Sequence, residues 1–572
     1  MSIATRSGAQ AIIDGLQQQG VEYIFGYPGG ANMPIFDVLL DSPIKFILVR
    51  HEQGATHMAD GYARSTGKAG VVFVTSGPGA TNTITGIMTA QMDSAPMVVI
   101  CGQTIVANLG LDAFQEADVS GISYPVVKHS YLIKDPNDIP RIIKEAFYLA
   151  ETGRPGPVLV DVPKDVAVAT LRGDHDMDLH LPGYKIPSHG DSEEIARSAA
   201  FLRDAERPIL LVGHGASISN AGKAIRMLAE KMQIPVTSTL LGKGGFPESH
   251  ELSVGMLGMH GTAYANKAVM NCDLIMSIGS RWDDRIVGRA SEFCKGAKKI
   301  HIDIDTTEFD KLVLMDCCIQ GDARLVVEEL NTIVEPGDTR GWLTQIAKWK
   351  KQFPLKYRKQ GGLKAQYVLD ELHRLTNGKA MITADVGQHQ MWAAQFCKTD
   401  ERFHFITTGG AGTMGFGFPA AIGVQLAHRD KLVVAVVGDG GFQMTMPELA
   451  TAAIEKLPVK VLIINNRYLG MVRQWQHIFF DNRLSGVDLK GNPDFVKLAE
   501  AFEGIKGFRI RRNADVEKVL TRALEYNDGP SVIDAEVEKE DNVYPMIPSN
   551  EPYEKMLLEA PKEKLPQPSG ST

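Results

Sequence analysis

Short, almost wholly apolar runs alternate along the chain with amphipathic stretches of helical period. "KLVVAVV" (431–437) and "VKVLIINN" (459–466) are continuous rather than alternating, as expected of strands covered by helices on both faces. "VVFVTSGPGATNTITGIMTAQMDSAPMVVICGQ" (71–103) and "LVVAVVGDGGFQMTMPELATAAIEKLPVKVLIINN" (432–466) follow one plan: strand, glycine turn, helix, proline, strand. Strands alternating with helical patterns predict parallel sheets, and so an α/β fold of three doubly wound parallel-sheet blocks with the first and third related. Polar, proline-bearing segments at 171–194 and 334–362 mark the boundaries, giving units of 1–180, 190–340 and 362–550. Residues 551–572 read as a C-terminal tail, and its end, "EKLPQPSGST", as disordered. The opening "MSIATRSGAQAIIDGLQQQG" reads as an amphipathic helix.

A chain of 572 residues exceeds a single core, which agrees with several domains. Its 44% apolar and 22% charged residues are ordinary for a globular protein, and a net charge of -8 points away from a nucleic-acid partner. Gly, Asp and Lys interrupt every candidate membrane span, and the N-terminal stretch lacks the apolar core of a signal peptide, so a cytoplasmic protein is expected. The cysteines (101, 272, 294, 317, 318 and 397) show no Cys-x-x-Cys spacing and read as buried reduced thiols.

Chemistry enters at the strand ends. "VVGDGG" ends an apolar run in Asp439 between glycines, and the next run ends in Asn465-Asn466. Thr445 and Glu448 stand at capping-box spacing around Pro447, which predicts a helix starting there. That helix returns the chain to a neighbouring parallel strand, so Asp439 and Asn466 emerge together at the carboxyl ends of adjacent strands, where open α/β sheets bind ligands. One carboxylate and one amide oxygen suit Mg²⁺ with positions left for phosphate and water, and Gly438, Gly440 and Gly441 let backbone N–H groups approach an anion.

This unit resembles the diphosphate-binding motif of thiamine-diphosphate enzymes. The likeness runs through "VEYIFGYPGG", "RHEQGATHMADGYAR", "TSGPGATN", "FQEADV", "LGMHG", "GSRWDDR", "VGQHQMWAAQ", "GTMGFGFPAAIG" and "NNRYLGMVRQWQ". Among these enzymes the chain resembles the catalytic subunits of acetohydroxyacid synthase (acetolactate synthase) most. The resemblance implies that Asp439, Asn466 and the carbonyl of Tyr468 hold the metal. It implies that Glu52 activates the cofactor through its aminopyrimidine ring, although a glutamate after a strand is, taken alone, a solvated loop charge. Val386, Gly387, Gln388, His389, Gly412, Met414, Leu469, Gly470 and Met471 complete the implied cofactor site, with Met414 wedged beneath the cofactor. Gly29, Phe114, Gln115 and Lys164 would line the substrate approach from a neighbouring subunit, Lys164 reading on its own as a surface lysine.

In the middle block, "RPILLVGHGASISN" has only part of the Gly-x-Gly-x-x-Gly fingerprint, because Ile218 replaces the third glycine. Charges at strand ends, Arg281, Asp283 and Asp303, suggest a nucleotide. The resemblance makes that nucleotide FAD, held by Gly213, His214, Gly215, Thr239, Leu240, Met259, His260, Gly279, Arg281, Asp283, Arg285, Asp303 and Asp322, in a mainly structural role. It further implies decarboxylation of pyruvate and transfer of the two-carbon unit to pyruvate or 2-oxobutyrate, giving 2-acetolactate or 2-aceto-2-hydroxybutyrate for branched-chain amino-acid synthesis. Arg281, Met471, Val472 and Trp475 would meet the substrate, whereas periodicity alone makes Trp475 a core residue. A homodimer or tetramer with shared sites is implied, and a small regulatory subunit is a possible partner. Other enzymes of the superfamily, such as a pyruvate oxidase or a 2-oxo acid decarboxylase, are the alternative, and a non-catalytic homologue is a further one that intact Glu52, Asp439 and Asn466 oppose.

Overall fold

The structure, a computed structural model, describes residues 6–172 and 178–561. Among the described residues, eighteen strands form three six-stranded, wholly parallel sheets. The first contains β1 (Tyr23–Gly26), β2 (Lys45–Leu48), β3 (Gly70–Val74), β4 (Met97–Gln103), β5 (His129–Leu132) and β6 (Pro157–Pro163), in the order β2-β1-β3-β4-β6-β5. The third contains β13 (Met381–Ala384), β14 (Phe405–Thr407), β15 (Val433–Gly438), β16 (Lys460–Asn465), β17 (Lys506–Ile510) and β18 (Ser531–Glu536), in the order β14-β13-β15-β16-β18-β17. Counted from its own first strand, each sheet therefore reads 2-1-3-4-6-5, and the relation expected between the two blocks extends to their whole topology.

The middle sheet differs. Its strands, β7 (Pro208–Val212), β8 (Val236–Ser238), β9 (Ser253–Met256), β10 (Leu274–Ile278), β11 (Lys298–Asp303) and β12 (Cys317–Gln320), run β12-β11-β10-β7-β8-β9. Counted within the sheet this is 6-5-4-1-2-3, the order of dinucleotide-binding folds, whose ligands sit where the order reverses, here between β7 and β10.

The central strands are buried throughout, β15 and β16 at every residue, which explains their unbroken apolar sequence. The first and third sheets share one core. The helix Glu52–Thr66 lies against the helix Gly417–Ala427, and a Cβ on Gly61 would overlap the Ala420 carbonyl, as one on Gly423 would overlap that of Met58. Val72, Val74, Ala435 and Val437 belong to the same buried cluster.

Three local expectations are corrected. The helix that directly follows β15 runs from Asp439 to Thr445, and the start expected around Pro447 is met by a 3₁₀ turn, Met446–Glu448, leading into the helix Leu449–Ile454, but without the expected capping box. Thr445 donates to the Gly415 carbonyl at 3.0 Å, and Glu448 reaches away to the backbone N–H groups of Arg50 and His51, so no capping box forms. The boundary segment 334–362 contains the helix Arg340–Gln352, whose Trp342 is buried on the middle domain and donates its indole N–H to the Pro208 carbonyl at 3.1 Å. Residues 551–561 are not a free tail: Tyr553 packs on Phe293 and its hydroxyl donates to the Ile286 carbonyl. The end expected to be disordered lies outside the described residues.

Candidate active site

Asp439 is the first residue of its helix, at the carboxyl end of β15, with only 1% of its surface exposed. Its carboxylate accepts the Asn492 amide at 2.6 Å, and burial pushes its pKa up to about 6, with nearby Asp534 pushing the same way. A carboxylate buried in this way, with no Lys or Arg ion-paired to it among the described residues, is an environment a divalent ion would complete. Next to it, β16 ends in Asn465 and Asn466. Asn465 donates to Asp534 at 2.9 Å, whereas Asn466 donates to Gln388 at 3.1 Å and accepts the Tyr468 N–H at 3.0 Å. Arg467, at φ +56, makes the tight turn that folds the Tyr468 backbone back beside Asn466. No group of three or more His, Cys, Asp or Glu that could hold a metal occurs among the described residues, so a metal here would rely on neutral oxygens beside Asp439.

The rest of the expected cofactor site is assembled around these strand ends. A Cβ on Gly470 would overlap Gln388, and one on Gly438 would come 2.7 Å from the His389 ring. His389 is buried, and burial pulls its pKa down to about 3, so it is a neutral imidazole. Met414 is half-buried, its Cε 3.7 Å from where a Cβ on Gly440 would stand. Sequence reasoning missed Asp385, at the end of β13. Its carboxylate accepts N–H groups from Val386 at 2.7 Å and Gly415 at 2.9 Å, tying together the two segments that carry Gly387 and Met414. No sequence signal singled it out, because an acid after a strand reads as a loop charge.

On the first domain, Glu52 opens the helix Glu52–Thr66 and accepts the Asn82 amide at 3.0 Å. The segment before it is held from the third domain, Glu448 accepting the N–H groups of Arg50 at 3.0 Å and His51 at 3.0 Å. Gly29 lies in the turn after β1, its N–H bonded to Asn32 at 2.8 Å, and Gln115 sits at φ +58 against Gly77. Phe114 is 89% exposed and Lys164 half-buried. No hydrogen bond or ion pair among the described residues joins Glu52, Phe114, Gln115 or Lys164 to Asp439 or Asn466.

A cavity of about 810 Å³ lies at the carboxyl ends of the middle strands and runs on to the third domain. His214, Gly215, Thr239, Leu240, Met259, His260, Gly279, Arg281, Asp283, Arg285, Asp303 and Asp322 all line it, together with Val386, Gly412, Met471 and Trp475. Of the middle-domain residues expected around a nucleotide, Gly213 alone is absent from the wall: a Cβ there would overlap the Gly279 carbonyl, so its role is to let β7 and β10 end side by side. Asp283 and Asp322 also cap helices, accepting N–H groups from Arg285 and Ile286, and from Arg324 and Leu325. Arg281 pairs with Asp283 at 3.1 Å. Trp475 is half-buried against Phe479, 5.1 Å between rings, and faces the cavity with Met471, while Val472 is exposed. The size suits a dinucleotide. Sequence reasoning missed Arg154 in this wall, a first-domain residue paired with Asp305 at 2.9 Å and Glu308 at 2.7 Å.

Family models for thiamine pyrophosphate enzymes match all three domains: the N-terminal TPP binding domain over residues 6–122, the central domain over 195–330 and the C-terminal TPP binding domain over 385–535. The paired sheets and the dinucleotide-type sheet between them are thus the architecture of a thiamine-pyrophosphate-dependent enzyme. The chain is 47% identical over 556 residues to the acetolactate synthase large subunit of Porphyra purpurea, covering 95% of this chain and 94% of that one. The large subunit of Haemophilus influenzae is 45% identical over 568 residues, covering 98% and 99%, and that of Parasynechococcus marenigrum 47% identical over 573, covering 97% and 91%. The chain belongs to the acetolactate synthase large-subunit family.

Proposed function

We propose that the protein is the catalytic subunit of an FAD-containing acetohydroxyacid synthase, which decarboxylates pyruvate and joins the two-carbon unit to a second pyruvate or to 2-oxobutyrate. Thiamine diphosphate, when bound, supplies the carbon that accepts the 2-oxo acid and stabilises the charge left by CO₂. Asp439, Asn466 and the Tyr468 carbonyl would hold Mg²⁺, and the backbone around Gly438–Gly441 and Gly387–His389 the diphosphate. Glu52 would exchange a proton with the pyrimidine ring, its carboxyl kept in place by Asn82. The neutral His389 can accept or donate a hydrogen bond beside the diphosphate without adding charge. Arg281 would meet the substrate carboxylate, and Met471, Val472 and Trp475 the acceptor's alkyl group. FAD would occupy the large cavity in a structural role.

Glu52 and Asp439 stand on different domains, and no hydrogen bond or ion pair among the described residues joins them in one chain. A homodimer, or a tetramer of such dimers, in which Glu52, Gly29, Phe114, Gln115 and Lys164 of one subunit face Asp439 of another, accounts for the exposure of Phe114. The units 1–180, 190–340 and 362–550 remain our division of the chain, with a cytoplasmic location and a small regulatory subunit as a further partner. No helix among the described residues is long and apolar enough to cross a membrane.

The observation that carries the reading is the buried Asp439 carboxylate beside Asn466, at neighbouring strand ends. The test is a product assay on pyruvate, omitting thiamine diphosphate, Mg²⁺ and FAD in turn. Acetolactate that depends on the first two is the expected result. Decarboxylation or oxidation products without acetolactate would replace this reading with that of another enzyme of the superfamily.

A further inference from the structure

We propose that a second cleft, where the three domains meet, binds a phosphate group, either as the free ion or carried by a nucleotide. The cleft holds about 420 Å³. Ser65 of the first domain, Ser217 and Gly222 of the middle one, and Arg402, His428 and Lys431 of the third are among its walls. It is separate from the larger cavity and independent of the function proposed above.

Its charge is one-sided. Arg402 forms no ion pair with any carboxylate among the described residues, and its pKa is lowered by loss of solvent with no acid opposing. Lys431 and His428 both bear on His404, which also lines the cleft. The one lining carboxylate, Glu401, sits 3.3 Å from His404 and is 72% exposed, so it leaves Arg402 and Lys431 uncompensated. An oxyanion would supply the missing charge with hydrogen bonds that Arg and Lys geometries suit.

Neutral donors stand opposite. The eleven-residue helix Gly222–Met232 begins at the cleft with no side chain capping it, which leaves N–H groups for an anion. Independently of that helix, the Ser217 hydroxyl is buried, with the residue 2% exposed, and has no hydrogen-bond partner among the described residues. It lies 2.8 Å from where a Cβ on Gly245, another lining residue, would stand. A buried hydroxyl without a partner is a cost that a bound acceptor removes.

Backbone strain marks the same place. Phe403 adopts φ +63, a left-handed conformation that is costly for a bulky residue. This turn sets the Arg402 guanidinium 5.1 Å from the Phe403 ring centroid, and one of its N–H groups donates to the Ser217 carbonyl at 3.0 Å. The short helix His214–Ile218 is therefore a partition. Ser217 faces the cleft, whereas His214 and Ile218 face the large cavity, and the His214 ring meets Phe403 with centroids 6.2 Å apart.

Calorimetric titration of inorganic phosphate, and separately of ADP, into protein saturated with thiamine diphosphate, Mg²⁺ and FAD tests this, because those cofactors fill the other phosphate-binding positions. Saturable binding is expected, weakened roughly 10- to 100-fold by Arg402→Gln, since a charge-assisted bond is lost. Lys431→Gln, at an exposed position, should act in the same direction and serves if Arg402→Gln lowers the thermal midpoint. Tighter binding of ADP than of phosphate would assign a nucleotide, and equal binding the free ion. Absence of saturable binding by both ligands, or equal affinity in parent and both variants, would overturn the proposal.

Discussion

The first and third sheets have the same strand order, yet their matching strand ends carry opposite equipment. After β15 the chain places a buried acid, Asp439, and after β16 a pair of amides, whereas the corresponding β3 and β4 end in "TSGPG" and Gln103. In the first sheet the acid appears one connection earlier, as Glu52 on the helix after β2, where the third sheet has the uncharged "GTMGFGFP". The scaffold fixes where a ligand is met, at the ends of its central strands, and leaves open which strand end carries the charge. Two copies of one topology can thus serve the two ends of a single elongated cofactor.

If that division holds, variants on the two sides should fail differently. The largest effect is expected for Glu52→Gln, which keeps the shape but cannot pass a proton. Hydrogen exchange at the cofactor's reactive carbon, followed by NMR, should slow by roughly 10²–10⁴-fold while the cofactor still binds. Asp439→Ala should do the reverse. Affinity for thiamine diphosphate at limiting Mg²⁺ should fall by more than about 100-fold, beyond what losing an outer partner of a metal ligand costs; unchanged affinity would remove the metal from this sheet.

Gly423→Ala tests the seam between the domains. Its Cβ would meet the Met58 carbonyl, and overpacking of about 1–3 kcal/mol should appear as a lower thermal midpoint. A midpoint unchanged from the parent would mean that the two sheets do not share a core. Asp385 stands where the first sheet has Tyr27, and burial holds its pKa near 7 against an ordinary 3.8. The folded protein therefore keeps a proton that the unfolded chain has lost, so this group costs stability as pH rises between those values, about 1.4 kcal/mol per unit. The parent should lose stability relative to Asp385→Asn on going from pH 5 to pH 7, measured as thermal midpoints at one scan rate. The smallest effect is expected for Glu448→Gln, which loosens the Arg50–His51 backbone ahead of Glu52. Turnover should fall about 3- to 10-fold with cofactor affinity unmoved; a loss confined to affinity would place Glu448 with the third sheet alone.

Sequence alone exposed the parts of the molecule governed by local rules. "KLVVAVV" and "VKVLIINN" are legible as central strands because burial on both faces leaves no polar alternation, and Asp439 and Asn466 because they interrupt such runs. What escaped was set by distant partners. Thr445 and Glu448 imitate a capping box, but Glu448 is taken up by N–H groups some 400 positions away, at 397 and 398 residues' separation. The helix Arg340–Gln352 lies in a segment whose polar composition reads as a boundary, since only Trp342 and Ile346 are buried on it. Arg154 carries no local signal, since its partners Asp305 and Glu308 lie on another segment, and Asp385 none, since the carboxylate that takes the neighbouring Val386 N–H also holds Gly415 of a different segment.

The shared core also sets a timetable. Arg64, fully buried on the helix Glu52–Thr66, is held by the Thr407 carbonyl at 2.6 Å across 343 residues of chain. At ribosomal speeds of about 5–20 residues per second, that carbonyl emerges on the order of 20–70 s after the arginine. Through that interval the side of this helix that carries Met58 and Tyr62 against Gly423 lacks its cover. The nascent first domain therefore offers a sticky stripe to chaperones, and synthesis rather than folding speed limits how soon it can be hidden.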